Sequence, residues 1–140
     1  MTSLALVLVC LVALTVVATV LANGQNHRWS RAANRVCARE HARLAALPAR
    51  RLGPVVAFER RTLIEEDALA GLKRLDSRTH VQKNYVAWRE YEVKLDVWVV
   101  GELARGDRAR AALGMKRLDV AREYLRRTGR RLGARACAKV

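Results

Sequence analysis

Apolar side chains in this 140-residue chain recur at helical spacing in four successive stretches. The first is bounded by Pro48, and the second runs from about 55 to 75. A third begins after turn residues at 76–79, and a fourth follows Gly106 and Asp107. No stretch alternates apolar and polar residues as a strand does. The pattern predicts an all-α protein built as an antiparallel four-helix bundle with short loops.

Each predicted helix has one face on which apolar residues collect, and these faces are expected to form the core. On the first helix the face comprises Trp29, Ala33, Val36, Cys37, Leu44 and Leu47. On the second it comprises Val56, Leu63, Ile64, Ala68, Leu72 and Leu75. The third carries Val81, Tyr85, Trp88, Tyr91, Leu95, Trp98 and Val99, which core packing explains better than a ligand groove. The fourth carries Ala112, Leu113, Val120, Ala121, Tyr124 and Leu125.

Capping residues mark the expected helix ends. Thr79 or Ser77 is the predicted N-cap of the third helix, and Asp107 is that of the fourth, because their side chains accept hydrogen bonds from exposed backbone amides. Gly129 and Gly133 mark the end of the fourth helix.

An uncharged segment precedes the bundle, since residues 4–22 are all uncharged and mainly apolar. As a helix they span roughly 28 Å, close to the hydrocarbon thickness of a bilayer. We therefore divide the chain into a transmembrane or signal-anchor segment at 1–22, a juxtamembrane linker at 23–28 and a basic helical domain at 29–140. Cleavage after Ala22 is the alternative to a retained anchor, so the protein is expected to be membrane-tethered or secreted.

The orientation of the helical domain has two interpretations. The positive-inside rule places the basic flank after residue 22 in the cytoplasm. The small residues at the cleavage site and the cysteines favour the opposite side. We expect a single-pass protein of the cell membrane with an extracytoplasmic C-terminal domain. The alternative is an N-out membrane protein whose cytoplasmic basic domain binds nucleic acid or the inner leaflet.

Two of the three cysteines stand at opposite ends of the helical domain, Cys37 in the first helix and Cys137 in the tail, while Cys10 lies in the apolar segment. A disulfide between Cys37 and Cys137 closes a long loop, for which chain entropy gives about 4 to 5 kcal/mol. Two unrelated buried thiols are the alternative. Because we expect the start of the first helix and the end of the fourth at opposite poles, the tail after Gly133 has to fold back to reach Cys37.

The residues around these cysteines form two short motifs. The first is Ala33-Asn34-Arg35-Val36-Cys37-Ala38, and the second is Leu132-Gly133-Ala134-Arg135-Ala136-Cys137. In both motifs the chain resembles uncharacterised small extracytoplasmic helical proteins of actinobacteria, which carry a signal or anchor segment and pair a first-helix cysteine with one in the C-terminal tail. The resemblance implies an envelope location and a disulfide between the two motifs, and it brings no known activity or catalytic residue.

Charge adds a candidate binding surface. The chain has 27 Lys and Arg against 13 Asp and Glu, and the excess lies in 28–51 and 105–139. If the cysteines bond, these basic segments are neighbours, and they form a surface for anionic lipid, a phosphate-rich wall polymer or an unidentified protein partner. The residues expected to bind there are Arg31, Arg35, Arg39, Arg43, Arg126, Arg127, Arg130 and Arg131. A solvated surface that reflects arginine-rich codon usage is the alternative.

No catalytic, metal or cofactor site is expected. His27, His41 and His80 lack the spacing of zinc ligands, and the sequence has no Cys-x-x-Cys, Gly-rich phosphate loop or nucleophile motif. The acidic run at 65–67 is expected to be solvated, because three consecutive residues fan around a helix instead of converging. The sequence therefore predicts a non-enzymatic cell-envelope protein.

Overall fold

Four helices and a short 3-10 helix make up the structure, a computed structural model that describes residues 26–48 and 51–139. Helix α1 comprises residues 26–45, α2 Pro54–Lys73, α3 His80–Ala104 and α4 Arg108–Arg131, and the 3-10 helix comprises Ala136–Lys139. Within the described ranges no residue lies in a strand, so the predicted all-α class is confirmed. The apolar segment 4–22 lies outside those ranges. None of the described helices combines the length and apolarity needed to cross a membrane.

The starts of α3 and α4 follow the capping chemistry of the sequence. Thr79 and Gln82 form a reciprocal capping box in which the Thr79 hydroxyl accepts from the Gln82 amide at 3.2 Å. Asp107 accepts from the Arg110 amide at 3.0 Å and caps α4. Thr79 and Asp107 are therefore confirmed as caps, whereas Ser77 accepts a hydrogen bond from an indole of α1 instead.

Helix α4 continues through Gly129 and ends at a left-handed turn on Gly133, whose φ is 70°. The Gly133 N–H donates to the Arg130 carbonyl at 3.0 Å, and the Ala134 N–H donates to the Gly129 carbonyl at 2.8 Å. These two bonds form a Schellman motif, in which the left-handed residue turns the chain away from the helix axis. The tail after Gly133 can therefore pack back against the bundle.

The helices alternate in direction, and the start of α1 lies beside the end of α4. Gln82 at the start of α3 donates from Nε2 to Asn26 Oδ1 at 3.0 Å, and the Ser30 hydroxyl donates to the Leu132 carbonyl. We call this end of the bundle the first pole. The expectation that α1 starts and α4 ends at opposite poles is wrong, because four alternating passes return the chain to the end where it began.

The core contains two apolar clusters. In the cluster nearer the first pole, Trp29 packs edge to face on Tyr85 with ring centroids 5.9 Å apart, and Leu72 and Leu125 are fully buried beside them. The second cluster comprises Leu95, Val99, Ala111 and Leu118, with Trp98 packed against it. The inward positions of α3 between Tyr85 and Val99 are largely charged, and they form the main polar feature of the interior.

Gly114 allows α3 and α4 to approach closely at the second cluster. A Cβ atom at this position would lie 2.4 Å from Val99 Cγ2 and 2.6 Å from Trp98 Cζ3. Both distances are far inside van der Waals contact. The side chain of any other residue would therefore force these helices apart.

The predicted buried faces are correct in α1 from Trp29 to Cys37 and partly wrong in the other helices. Residues predicted as buried that are exposed are Val56, Leu63, Val81, Tyr91, Ala112, Leu113 and Val120. Those that are half-buried are Leu44, Leu47, Leu75, Trp88, Trp98 and Tyr124. The inward faces of α3 and α4 follow alternating steps of three and four residues from Gln82 and Ala111. In α3 several of these inward positions hold polar or charged side chains. A prediction based only on apolar residues therefore selects the wrong face of the helix.

Candidate functional site

A disulfide joins α1 to the tail. Cys37 and Cys137 are bonded, with their Cα atoms 5.1 Å apart and a sequence separation of 100. Both side chains are buried in the first cluster. The predicted pair is therefore confirmed, and the tail does fold back along the bundle to make it.

Polar contacts hold the tail along α1 in addition to the disulfide. The Asn34 side chain donates to the Gly133 carbonyl at 3.2 Å and accepts from the Ala136 amide at 2.7 Å. His41 Nε2 lies 2.9 Å from the Ala136 carbonyl oxygen, and the Tyr85 hydroxyl donates to the Cys137 carbonyl at 3.2 Å. Both motifs that flank the cysteines thus contact each other directly.

The arginines of α1 form a row at intervals of four residues, and two of them, Arg39 and Arg43, border α2. Arg31, Arg35 and Arg39 are exposed, and in the part of the chain that the structure describes none has a carboxylate within 4 Å. Arg43 differs, because it forms an ion pair with Asp67 of α2. Three of the four predicted α1 arginines therefore present uncompensated charge.

Of the four predicted arginines of α4, two form ion pairs and two do not. Arg126 and Arg127 share the carboxylate of Glu123, at 3.2 and 2.6 Å. Arg130 and Arg131 are exposed, and they have no acidic partner among the described residues. Because the end of α4 lies at the first pole, these two join the start of the α1 row. Five of the eight predicted arginines, at positions 31, 35, 39, 130 and 131, thus have no carboxylate partner among the described residues.

A buried ion cluster in the core is the polar feature that the sequence did not predict. Arg89 of α3 is only 2% exposed, and it pairs with Glu40 of α1 and Glu92 of its own helix. The second oxygen of Glu92 accepts from Arg122 of α4 at 3.0 Å, and Arg122 also lies 3.2 Å from Asp96. Charged side chains from three helices thus form one connected chain of ion pairs.

Helix α2 adds a fourth carboxylate to the buried ion cluster. Glu65 is 2% exposed; one of its oxygens accepts from Arg61 at 2.8 Å, and the other has no hydrogen-bond partner among the described residues. The expectation of a solvated acidic run at 65–67 is therefore wrong for Glu65, whose helical position faces α3. Glu40, Glu65, Glu92 and Asp96 face the guanidinium groups of Arg61, Arg89 and Arg122, which leaves one carboxyl group in excess.

Burial, together with this excess negative charge, changes the proton affinities of the buried ion cluster. Burial, opposed by Arg89 and reinforced by Glu65 and Glu92, raises the pKa of Glu40 from 4.5 to about 7. Burial also raises the pKa of Asp96, with Glu65 adding to the effect. Burial alone would lower the pKa of Arg89, but the carboxylates of Glu92 and Glu40 outweigh it and raise that pKa further above its ordinary value. The cluster thus holds Arg89 and Arg122 charged and favours a proton on a carboxyl group near neutral pH.

The chemistry available in the buried ion cluster is proton binding. Its carboxylate oxygens are directed at arginines, and across residues 26–48 and 51–139 no three His, Cys, Asp or Glu side chains are placed to hold a metal ion. The sequence did contain a signal for it, because residues 89, 92 and 96 continue the inward spacing of Tyr85 and Val99. Identifying the partners on α1 and α4 requires the tertiary fold.

Comparison with known proteins found no relative of this chain. No family model matches the chain, and no curated protein or solved structure is detectably similar to it. The disulfide, the arginines and the surfaces of the bundle are therefore the features that bear on its function.

Proposed function

We propose that this protein is a non-enzymatic component of the cell envelope, membrane-tethered or secreted, whose basic bundle binds an anionic surface. The disulfide between Cys37 and Cys137 is the observation that carries the proposal. Disulfides persist outside the cytoplasm and are rare inside it, so the bond supports an extracytoplasmic helical domain. It also fixes the tail beside α1 and so supports the common basic surface.

The anionic partner is a lipid headgroup layer or a phosphate-rich wall polymer. Each basic residue close to an anionic bilayer contributes about 1 kcal/mol, so five arginines give roughly 5 kcal/mol, or a dissociation constant near 0.2 mM. Such binding is weak for a free protein. A retained anchor makes the contact intramolecular, at an effective concentration in the millimolar range, which is sufficient for the surface to be mostly bound.

The position of the first pole supports this geometry. Only residues 23–25 separate the predicted anchor from the start of the described α1, and three extended residues span at most about 11 Å. A retained anchor therefore holds the first pole close to the headgroups. Arg31, Arg130 and Arg131 lie at that pole, whereas Arg35 and Arg39 continue the basic row along α1 away from it.

A vesicle-docking experiment tests the proposal. The full chain is held in nanodiscs of neutral lipid, and its binding to labelled anionic and neutral vesicles is compared at low and high salt. We expect stronger binding to anionic vesicles and its loss at about 1 M salt, where screening acts within roughly 3 Å. Equal binding to both kinds of vesicle contradicts the proposal.

A matched pair of variants separates a defined site from general charge. The site variant carries Arg35→Gln, Arg39→Gln, Arg130→Gln and Arg131→Gln. The control loses the same charge elsewhere, through Arg51→Gln, Arg60→Gln, Arg108→Gln and Lys116→Gln. We expect the site variant to lose at least about tenfold in affinity, since four contacts of about 1 kcal/mol are removed. Equal losses in the two variants contradict a localised basic site.

The orientation needs its own measurement. A reporter enzyme that is active only outside the cytoplasm, fused after Val140, should be active in cells. An inactive reporter would favour the cytoplasmic alternative instead.

A further inference from the structure

The outer surface of α2 carries a ridge of alternating acidic and apolar side chains. Glu59, Leu63 and Glu66 follow each other at steps of four and three residues, which places them on one face of the helix. Leu63 is 63% exposed and borders an open groove of ≈480 Å³ that Val97 of α3 also lines. This ridge faces away from the core, and it is uncovered in the described part of the protein.

The two glutamates of this ridge are exceptional in a chain of net charge +14. Nearly every other acidic side chain forms an ion pair, and Asp119 is the only further one that does not among the described residues. Glu59 and Glu66 are exposed, and they stand one helical turn on either side of the same leucine. Unpaired carboxylates around an exposed apolar side chain match a partner that is basic and apolar in the same alternation.

The outer surface of α4 has the complementary alternation. Arg110, Leu113 and Arg117 follow each other at steps of three and four residues, and Leu113 is 48% exposed. Both arginines are exposed, and Arg110 has only a loose pair with Asp107 at 3.7 Å. The acidic pair on α2 and the basic pair on α4 each span seven residues, or about 10.5 Å of helix.

We propose that the α4 ridge of one copy packs against the α2 ridge of a second copy. Helices α2 and α4 run in the same direction in the bundle and lie on either side of α3. Two copies in the same orientation, as neighbours on one membrane would have, therefore bring these ridges together in parallel. Leu63 then meets Leu113, and each glutamate meets one arginine.

The contact joins two different surfaces, so it does not close into a dimer. Each copy retains a free α2 ridge at one side and a free α4 ridge at the other, and repetition of the contact produces a row of copies. The paired ridges are small beside a stable interface of about 1,600 Å². Association is accordingly weak in dilute solution, and it becomes appreciable where copies are concentrated. This inference is independent of whether the bundle binds an anionic surface.

Site-directed crosslinking of the full chain in liposomes tests the row. Every variant carries Cys10→Ser, and the native disulfide is left intact. Copies with Leu63→Cys are mixed with differently tagged copies carrying Leu113→Cys, and a short bis-maleimide is added. We expect crosslinks between the two kinds of copy and none within either kind alone. Absence of mixed crosslinks, or equally strong crosslinks within one kind, overturns the proposal.

The direction of packing is tested by a second cysteine pair. Val56→Cys and Val120→Cys lie on the same outer surfaces but come together only if the two helices run antiparallel. In the parallel row they are separated by about 20 Å of helix rise. Crosslinking of this pair therefore overturns the row, and its absence beside a positive Leu63–Leu113 result supports it.

Charge reversal tests the ion pairs and controls for misfolding. Glu59→Arg with Glu66→Arg on the Leu63→Cys copy should reduce the mixed crosslink at least about tenfold, because like charges then face each other. Adding Arg110→Glu and Arg117→Glu to the other copy should restore it. Restoration is possible only if both variants fold, and failure to restore in variants that keep the helical circular-dichroism spectrum contradicts the proposed pairing.

Discussion

Replacing Glu40 with glutamine should remove a large part of the pH dependence of stability between pH 5 and pH 8. Glu40 is buried against Arg89 in a cluster with one carboxyl group in excess, and its pKa is raised from 4.5 to about 7. Between these two values the folded protein binds a proton at Glu40 that the unfolded chain does not hold. The free energy of unfolding therefore falls as the pH rises through this window, and it recovers as the pH is lowered.

The size of the effect follows from the pKa difference. Each pKa unit corresponds to 1.36 kcal/mol, so the rise at Glu40 amounts to about 3 kcal/mol between its limits. In a domain of this size 1 kcal/mol changes the melting temperature by roughly 4 °C, so the Glu40 contribution is on the order of 10 °C. Glu40→Gln retains a side chain of nearly the same shape and removes the titration.

Thermal unfolding followed by circular dichroism at several pH values, with the full chain in non-ionic detergent, provides the measurement. We expect the wild type to gain stability from pH 8 to pH 5 and Glu40→Gln to gain about 3 kcal/mol less, while Asp96, whose pKa burial raises to about 7, keeps its own share of the pH dependence. Glu90→Gln is the matched control, because pairing with Lys73 and Lys94 lowers the pKa of Glu90 to about 2, outside the window. Parallel curves for the wild type and Glu40→Gln would refute the raised pKa of Glu40.

Three further predictions concern the disulfide, the close packing at Gly114 and the apolar N-terminal segment. Replacing both Cys37 and Cys137 with alanine should cost about 4 to 5 kcal/mol of stability in urea unfolding, and protein alkylated during isolation from its native compartment should have no free thiol at either position. Gly114→Ala should cost about 1 to 3 kcal/mol because its Cβ has no space, whereas Gly53→Ala, which meets no atom within 4 Å, should change little. Arginine at two leucines near the centre of segment 4–22 should abolish membrane attachment or export in cell fractionation, since each costs roughly 2.5 to 3.5 kcal/mol on insertion.

The features that the sequence predicts correctly are those that depend on nearby residues. Four helices, the caps at Thr79 and Asp107 and the turn at Gly133 all follow from periodicity and local hydrogen bonding. The pairing of Cys37 with Cys137 is a long-range feature. It was predictable because these are the only two cysteines outside the apolar segment. The expectation of opposite poles was wrong because an even number of alternating helices ends at the pole where the first helix starts.

The buried charges show why the rest was not predictable. An arginine such as Arg89 is normally exposed unless partners compensate it. Its partner Glu92 is one turn away on the same helix, but Glu40 on α1 and Arg122 on α4 join the cluster only in the folded bundle. Of the predicted arginines, the pairing of Arg127 with a glutamate four residues earlier was visible in the sequence. The pairing of Arg43 with an acid of another helix was not.

The disulfide between Cys37 and Cys137 also determines how the protein responds to tension. A pull that enters through α1 and leaves at the end of the tail passes from Cys37 to Cys137 through the sulfur atoms, and so bypasses residues 38–136. Only residues 26–36 of the described chain can then be drawn out of α1. Converting these eleven helical residues to extended chain lengthens the molecule by about 20 Å, after which covalent bonds carry the load. A protein held between a membrane and a bound polymer would thus act as a tether of fixed maximum length, with α2, α3 and α4 remaining folded.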